Sequence, residues 1–249
     1  MDLGIAGKRA AVAAGSAGLG LGAARALAAE GVEVAICGRD LAKAEAAAAD
    51  IGATALAADM SDPDQASRFV TEAADRLGGT VDIVVANAGG PPAGTFASTD
   101  LDGYRQALDL NLLSSIALCQ AAVPALQAQG WGRVVAITSI GVRQPPPHLM
   151  ASATARAGLT AFLKVLASEV ARDGVTVNSA QPGFHDTDRV RQLYDGGVPP
   201  PEAAAAIPVG RLGDPDDFGA VVAFLCSQQA GFVTGTGLLV DGGAFPGLV

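Results

Sequence analysis

Lys8-Arg9-Ala10-Ala11-Val12-Ala13-Ala14-Gly15-Ser16-Ala17-Gly18-Leu19-Gly20 is the stretch that decides the fold. A short apolar run enters a glycine cluster. Alanine-rich residues at 21–30 follow, and Gly31 stops them. That is strand, tight turn, helix, with a second apolar run at 32–37 behind it. Glycines in the turn let the backbone come close to a ligand. The helix start offers free N–H groups and the positive end of its dipole, which is where a pyrophosphate binds. Glycine-rich turns also join strands to helices without any ligand. The intact strand–loop–helix–strand order is what favours nucleotide binding here.

The same alternation continues outward. Apolar runs at 54–58, 81–86, 133–138, 175–180 and 237–240 read as further strands. Helical stretches lie between them. Asp40 caps one to about residue 50, and Asp62-Pro63 opens another to about residue 77. A long stretch at 101–129 carries Asn111 and Pro124, and the proline is expected to kink or break it. Further helices are expected at 151–172 and, behind Asp214-Pro215, to about residue 227. The strands are continuously apolar rather than alternating, as in a parallel sheet covered on both faces. The expected fold is therefore a single α/β domain spanning 1–249, a Rossmann-like doubly wound sheet. Residues 181–208 read as irregular, with two short helices.

Composition narrows the function classes. Half the residues are apolar but only 4% are aromatic, so the core must be built from small aliphatic side chains. Lys plus Arg is 16 against 25 for Asp plus Glu, a net charge of −9. That argues against a nucleic-acid or anionic-membrane surface. Cys37, Cys119 and Cys226 are far apart, form no C-x-x-C and read as buried free thiols. They fit a reducing cytoplasm. Lys8 and Arg9 after a short apolar start give no signal-peptide pattern. The uncharged run at 110–132 is long enough for a bilayer. It carries Asn111, Ser114, Ser115 and Pro124, and so reads as a helix of a core or subunit interface. No His/Cys/carboxylate spacing points to a metal.

The second strand leads into Gly38-Arg39-Asp40. An acidic residue at that place binds a ribose 2′-hydroxyl, whereas arginine accommodates a 2′-phosphate. Arg39 favours NADP(H). A solvated Arg39 with Asp40 only capping its helix is the bland alternative, and Asp40 facing the ribose keeps NAD(H) open.

Further marks occur in order: Asp59 after the third strand, Asn87-Ala88-Gly89 after the fourth, then Asn111, Ser139, Pro182-Gly183 and Val240-Asp241-Gly242-Gly243. With the glycine loop they resemble the short-chain dehydrogenase/reductase family over essentially the whole chain, and its acyl-carrier-protein ketoreductase-like branch in particular. The resemblance implies a sheet of about seven strands and a nicotinamide cofactor. Gly15, Ser16, Gly18, Leu19 and Gly20 would hold its pyrophosphate, and Asp59 and Met60 its adenine. Asn87, Ala88 and Gly89 would back its centre, and Pro182, Gly183 and Thr187 would frame the nicotinamide. It also implies a homo-oligomer, a tetramer or dimer, pairing helices around 104–129 and 151–172. Residues 184–208 would form a lid over a small-molecule substrate.

Two departures stand out. Ala14 occupies the place of the family's first glycine. More seriously, the family's Tyr-x-x-x-Lys falls, counting from Ser139, on Ser152 and Arg156. The register is supported by Arg156-Ala157-Gly158, which is similar to the family's Lys-Ala-Gly. In the family the tyrosine protonates the carbonyl oxygen, and the lysine holds the ribose and lowers the tyrosine pKa. A serine hydroxyl is a far weaker acid than a phenol of pKa about 10. Arg156 keeps a cation for the ribose but does not shuttle protons near neutral pH. Ser139 and Asn111 remain in place. Ser139 can bond a substrate oxygen or merely its local backbone, and Asn111 can be a satisfied helix residue. Candidate substitute acids are His148, His185, a water held by Ser139 and Ser152, and, more remotely, Tyr104 and Tyr194.

Three functions are compatible with this pattern. The first is an NADP(H)-dependent oxidoreductase acting on a small carbonyl or alcohol with a non-standard proton donor. The second is a cofactor-binding protein without turnover. The third is a non-redox isomerase or lyase reusing the pocket, which would form product with no net change in nicotinamide absorbance.

Overall fold

The computed structural model describes residues 2–194 and 197–248. The first half runs β1 (Arg9–Val12), α1 (Gly18–Ala29), β2 (Glu33–Gly38), α2 (Leu41–Ile51), β3 (Thr54–Ala57), α3 (Pro63–Arg76) and β4 (Ile83–Ala86). Next come α4 (Leu101–Leu108), α5 (Ser114–Ala128), β5 (Gly132–Ile137), α6 (Met150–Val170) and β6 (Val175–Pro182). The short α7 (Asp188–Arg191) and α8 (Pro201–Ala205) precede α9 (Pro215–Leu225) and β7 (Gly237–Val240). The seven strands make one sheet in the order β3-β2-β1-β4-β5-β6-β7, and every pairing is parallel.

Period-two side-chain alternation divides the buried residues between the two faces. Val84 and Ala86 of β4 pack with Phe69 of α3, Leu118 of α5 and Leu159 of α6. Ile83 and Val85 pack with Leu27 of α1, Ala48 of α2 and Phe218 of α9. Both faces are covered, as the unbroken apolar strands required.

The helix starts obey their capping residues. Asp40 accepts from Lys43 N at 3.1 Å, Asp62 from Asp64 N at 2.9 Å, and Asp214 from Asp216 N at 2.8 Å. Pro63 and Pro215 occupy the first turns behind the last two caps. Helix α1 starts at Gly18, three residues earlier than the alanine run implied, and its N-cap Ala17 supplies no side-chain acceptor.

The expected break at Pro124 is not there. Helix α5 runs through the proline without interruption. Pro124 and Gln120, whose carbonyl loses its partner, are both exposed, so the lost bond falls on the solvent side of the helix. The irregularity lies earlier, in a π-helical turn at Asp109–Leu113 joining α4 to α5. Leu101–Ala128 is thus one helical stretch. Among the described residues it is long and apolar enough to cross a bilayer by length and composition, and half of its most apolar window is buried within the fold.

Helix α1 meets α9 backbone to backbone. A Cβ on Gly22 would lie 2.1 Å from Pro215 O, and one on Gly219 would lie 2.1 Å from Gly22 O. An ion pair between Arg25 and Asp216 closes the same contact. Neither glycine has room for a methyl group. Gly22→Ala is expected to cost about 3 kcal/mol by overpacking, lowering the melting temperature by roughly 6–12 °C.

Cys37, Cys119 and Cys226 are buried free thiols. Burial pushes each of their pKa values up to about 12. Thiolate is the reactive form. A disulfide reagent added to the native protein at neutral pH is therefore expected to titrate none of the three, and to titrate all of them in denaturant.

Candidate active site

Because all strands are parallel, their C-terminal ends share one edge, and the turns that leave them meet there. The strand order reverses between β1 and β4, which opens a crevice where ligands bind in open α/β sheets. The turn after β1 enters it by a constrained path. Ala14 has φ +45°, the only positive φ on a described residue other than glycine. Its N–H points to Cys37 Sγ at 3.4 Å, and Gly15 N donates to Cys37 O at 2.9 Å. Asn87, just past β4, donates from Nδ2 to Ala14 O at 3.3 Å. Gly20 packs so closely that a Cβ there would lie 2.4 Å from Ala14 O and 2.6 Å from Asn87 Nδ2. The loop is thus folded across both central strands.

The residues present fit a dinucleotide. The start of α1 has no side-chain cap and no acidic residue in its first turn, so its N–H groups remain for an anion. A Cβ added to Gly89 would meet nothing within 4 Å, so this strand end faces open space. Asn111 donates from Nδ2 to Gly89 O at 2.8 Å, while its Oδ1 is buried with no partner among the described residues. The π-helical turn aims this side chain at the crevice, and such bulges recur at functional sites. Thr187, which caps α7, lies over the glycine loop: a Cβ on Gly18 would be 3.5 Å from Thr187 Cγ2.

Other expected contacts fall around this frame. Arg39 is exposed just beyond β2, and Asp40 is occupied as the cap of α2. Asp59 follows β3, with Oδ1 accepting from Ser61 N at 2.9 Å, and Met60 is buried beside it. Pro182 ends β6, and Gly183 N bonds Val240 O at 3.0 Å. The expected lid contains α7 and α8; its residues 195 and 196 lie outside the described residues.

On the substrate side, Ser139 follows β5, and its Oγ accepts from Gly141 N at 2.9 Å. That bond leaves the hydroxyl proton free. Ser152 sits in the first turn of α6. Its Oγ accepts from Arg156 Nε at a long 3.4 Å, so its proton is also uncommitted. Arg156 is buried, one helical turn on. Its Nη1 donates to Ile137 O at 2.9 Å and Thr138 O at 3.2 Å, so both Nη1 protons are used on the end of β5. Desolvation, and then the charge of Arg189, push its pKa down to about 10.

The two histidines separate. His185 turns away from the crevice. Its ring packs edge-on to Phe218 with centroids 5.2 Å apart, and Nδ1 lies 3.2 Å from Gly183 O. Burial lowers its pKa and keeps it neutral. It is a packing residue at the base of the lid. His148 is exposed, and its carbonyl accepts from Gly94 N at 2.8 Å. Tyr104 packs against Ala151 and Ala155.

Arg189 is the residue that sequence reasoning missed. Its Nη2 donates to Pro91 O at 2.7 Å, so α7 reaches across to the loop after β4. Only its place two residues beyond Thr187 hinted at this. Arg143 likewise ties the turn after β5 to Gln181 at 2.6 Å and to Gly237 O at 2.8 Å.

The sequence profile described as enoyl-(acyl carrier protein) reductase matches residues 13–244. This chain belongs to the short-chain dehydrogenase/reductase family. A solved short-chain dehydrogenase/reductase is 35% identical, with a TM-score of 0.89, and the match covers 99% of this chain and 100% of that one. The bovine L-fucose dehydrogenase is 36% identical over 250 residues, 96% of this chain and 90% of the relative. L-Sorbose reductase of Gluconobacter frateurii, solved with NADPH and L-sorbose, superposes with a TM-score of 0.92 at 27% identity over the whole of both chains. Family membership makes this protein an NAD(P)-dependent oxidoreductase of the class that interconverts CH–OH and C=O.

The Asn111 tether yields a test. In Asn111→Ala the bond lost to Gly89 is offset by removal of the unpaired Oδ1, so stability should change by less than about 1 kcal/mol. NADPH affinity, followed by nucleotide fluorescence, should fall about five- to tenfold because Gly89 loses its anchor.

Proposed function

We propose that this short-chain dehydrogenase/reductase reduces a small carbonyl substrate, or oxidises the matching alcohol, using NADP(H) and without a phenolic proton donor. Arg39 at the end of β2 supports NADP(H), because Asp40, the residue that would favour NAD(H), is committed to Lys43 N at 3.1 Å. Residues of the glycine loop, Asn87 to Gly89, and Pro182 to Thr187 would hold the nucleotide. When bound, the nicotinamide supplies or accepts the hydride.

The protein's part is the other half of the reaction, charge and proton on the substrate oxygen. Ser152 and Arg156 stand where the family carries tyrosine and lysine. The single observation that carries the reading is the hydrogen-bond polarity of the two serines. Ser139 Oγ accepts from Gly141 N and Ser152 Oγ accepts from Arg156, which leaves both hydroxyl protons to point at a carbonyl oxygen. Two such donors stabilise the developing alkoxide. Neither serine acidifies enough to give up its own proton, so the proton arrives from water through one of these hydroxyls. Arg156 orients Ser152 and adds positive charge to the site. The lid at 184–208 excludes bulk water. A tetrameric or dimeric assembly through α5 and α6, and a cytoplasmic location suited to three free thiols, complete the proposal.

A second reading, nucleotide binding without turnover, draws support from Arg156, whose Nε and Nη1 are already held within the protein. Kinetics separates the two. NADPH oxidation is expected across a panel of small carbonyls. Ser139→Ala and Ser152→Ala should each lower kcat by about 10²-fold, the effect of deleting one oxyanion donor. Failure of every substrate to oxidise NADPH, with tight NADPH binding intact, would establish the second reading instead.

The pH profile is a further check. Arg156 is charged below its folded pKa of about 10 and loses that charge above it. Reduction should therefore be flat from about pH 6 to about 9 and decline towards 10. A titration step near neutrality would instead reveal a histidine acid.

A further inference from the structure

Two arginines lie at the sheet edge where β4 and β5 end. Arg156 comes from α6 and is buried at the end of β5. Arg189 comes from α7 and lies across the loop after β4. A Cβ on Gly90 would be 2.5 Å from its Nε and 2.8 Å from its Cζ, so the guanidinium lies flat on that glycine. Arg189 is partly buried, and desolvation lowers its pKa. The strand ends these two arginines bond are neighbours, since β4 and β5 pair with Ala86 opposite Ala136, and Arg189 disfavours the charge on Arg156.

Neither arginine has a carboxylate partner among the described residues. Arg25, Arg105, Arg191 and Arg211 reach an aspartate and Arg9 reaches Glu33, whereas the buried Arg133, like these two, bonds to carbonyls; what sets Arg156 and Arg189 apart is that they are neighbours. In a chain of net charge −9, acidic partners are not scarce. Arg156 and Arg189 bond instead to the carbonyls of Ile137, Thr138 and Pro91 and to the Ser152 hydroxyl. Those bonds leave Arg156 Nη2 and Arg189 Nε and Nη1 without an acceptor among the described residues. Two neighbouring desolvated cations without a counter-ion are costly, and an anion placed between them relieves both. Guanidinium forks suit a carboxylate because they bind it through paired N–H groups.

The anion belongs to the substrate rather than to the cofactor. The cofactor pyrophosphate has its own site at the start of α1. Arg156 lies beyond that, at β5, beside Ser139 and Ser152. We propose that Arg156 and Arg189 together form a clamp for the substrate's carboxylate, so that the carbonyl compounds reduced are oxo acids and the alcohols oxidised are hydroxy acids. This substrate class rests on the reductase reading above. Because Arg189 is carried by the lid, binding the carboxylate would also hold the lid against the loop after β4.

The probes are 3-oxobutyrate and its uncharged methyl ester. Each is titrated calorimetrically into protein saturated with NADP+, which cannot reduce it, and assayed separately for turnover with NADPH, with NADPH binding measured on its own. The parent should bind the acid at least about 10-fold more tightly than the ester. Arg189→Gln should weaken acid binding about 10- to 100-fold, leave the ester within about twofold, and leave NADPH affinity within about threefold. Arg189→Lys should recover part of the acid preference, since it keeps the charge but not the fork. Equal affinity of the parent for acid and ester overturns the clamp. So does an Arg189→Gln variant that loses NADPH affinity as much as acid affinity, because the arginine would then serve a cofactor phosphate. Acid-selective binding with no NADPH oxidation by these probes or by any carbonyl of the panel supports the clamp while refuting the reductase reading, so the two fail separately.

Discussion

Parallel pairing of all seven strands makes every strand end at the same edge of the sheet, and the chemistry of this protein is assembled from that alignment. The turns after β1, β4, β5 and β6 bring Gly15–Gly20, Asn87–Gly89, Ser139 and Pro182–Thr187 to one side. None of these segments is close to another in sequence. A parallel sheet is stable only when both faces are covered, so the apolar strands and their helices are the condition for having a site at all. The conformational demand concentrates where β1 ends. The chain must leave the centre of the sheet and present the start of α1 to the crevice within a few residues. It does so through a left-handed turn at Ala14, at a cost of about 1–2 kcal/mol for a residue with a side chain.

Much of this was legible in the sequence, for reasons that differ by residue. The strands could be read because burial on both faces leaves them no polar positions. The helix starts could be read because Asp40, Asp62 and Asp214 are caps whose geometry is local. The glycine loop announced its ligand because close backbone approach excludes other residues. The long helix was legible in its span, and Pro124 does not end it because the proline lies on its exposed side. Nothing in the residues at 109–113 marks a π turn, since it is set by how α4 and α5 dock against the rest of the fold.

The side-chain chemistry was less legible than the positions. Sequence spacing placed Ser139, Ser152 and Arg156 together, and the structure places them at the same strand end and helix start. It could not say that Arg156 would spend its Nη1 on the carbonyls of Ile137 and Thr138. Nor could it say that His185 would turn its ring to Phe218. Both outcomes depend on what the side chain meets after folding. Arg189 escaped notice for the same reason: its contact at Pro91 spans 98 residues of chain.

The close approach of α1 and α9 has a consequence for how this sequence can drift. Gly22 and Gly219 are separated by most of the chain, yet both lie in the same helix contact: a methyl group on Gly22 would meet Pro215 O, and one on Gly219 would meet Gly22 O. A change at one is tolerable only if the opposing helix moves, and α9 cannot move far without disturbing the seat of His185 on Phe218. Both positions are therefore closed to a larger residue unless the two helices separate, and enlarging both only widens the separation required. The same constraint reaches the lid, whose base rests on that histidine.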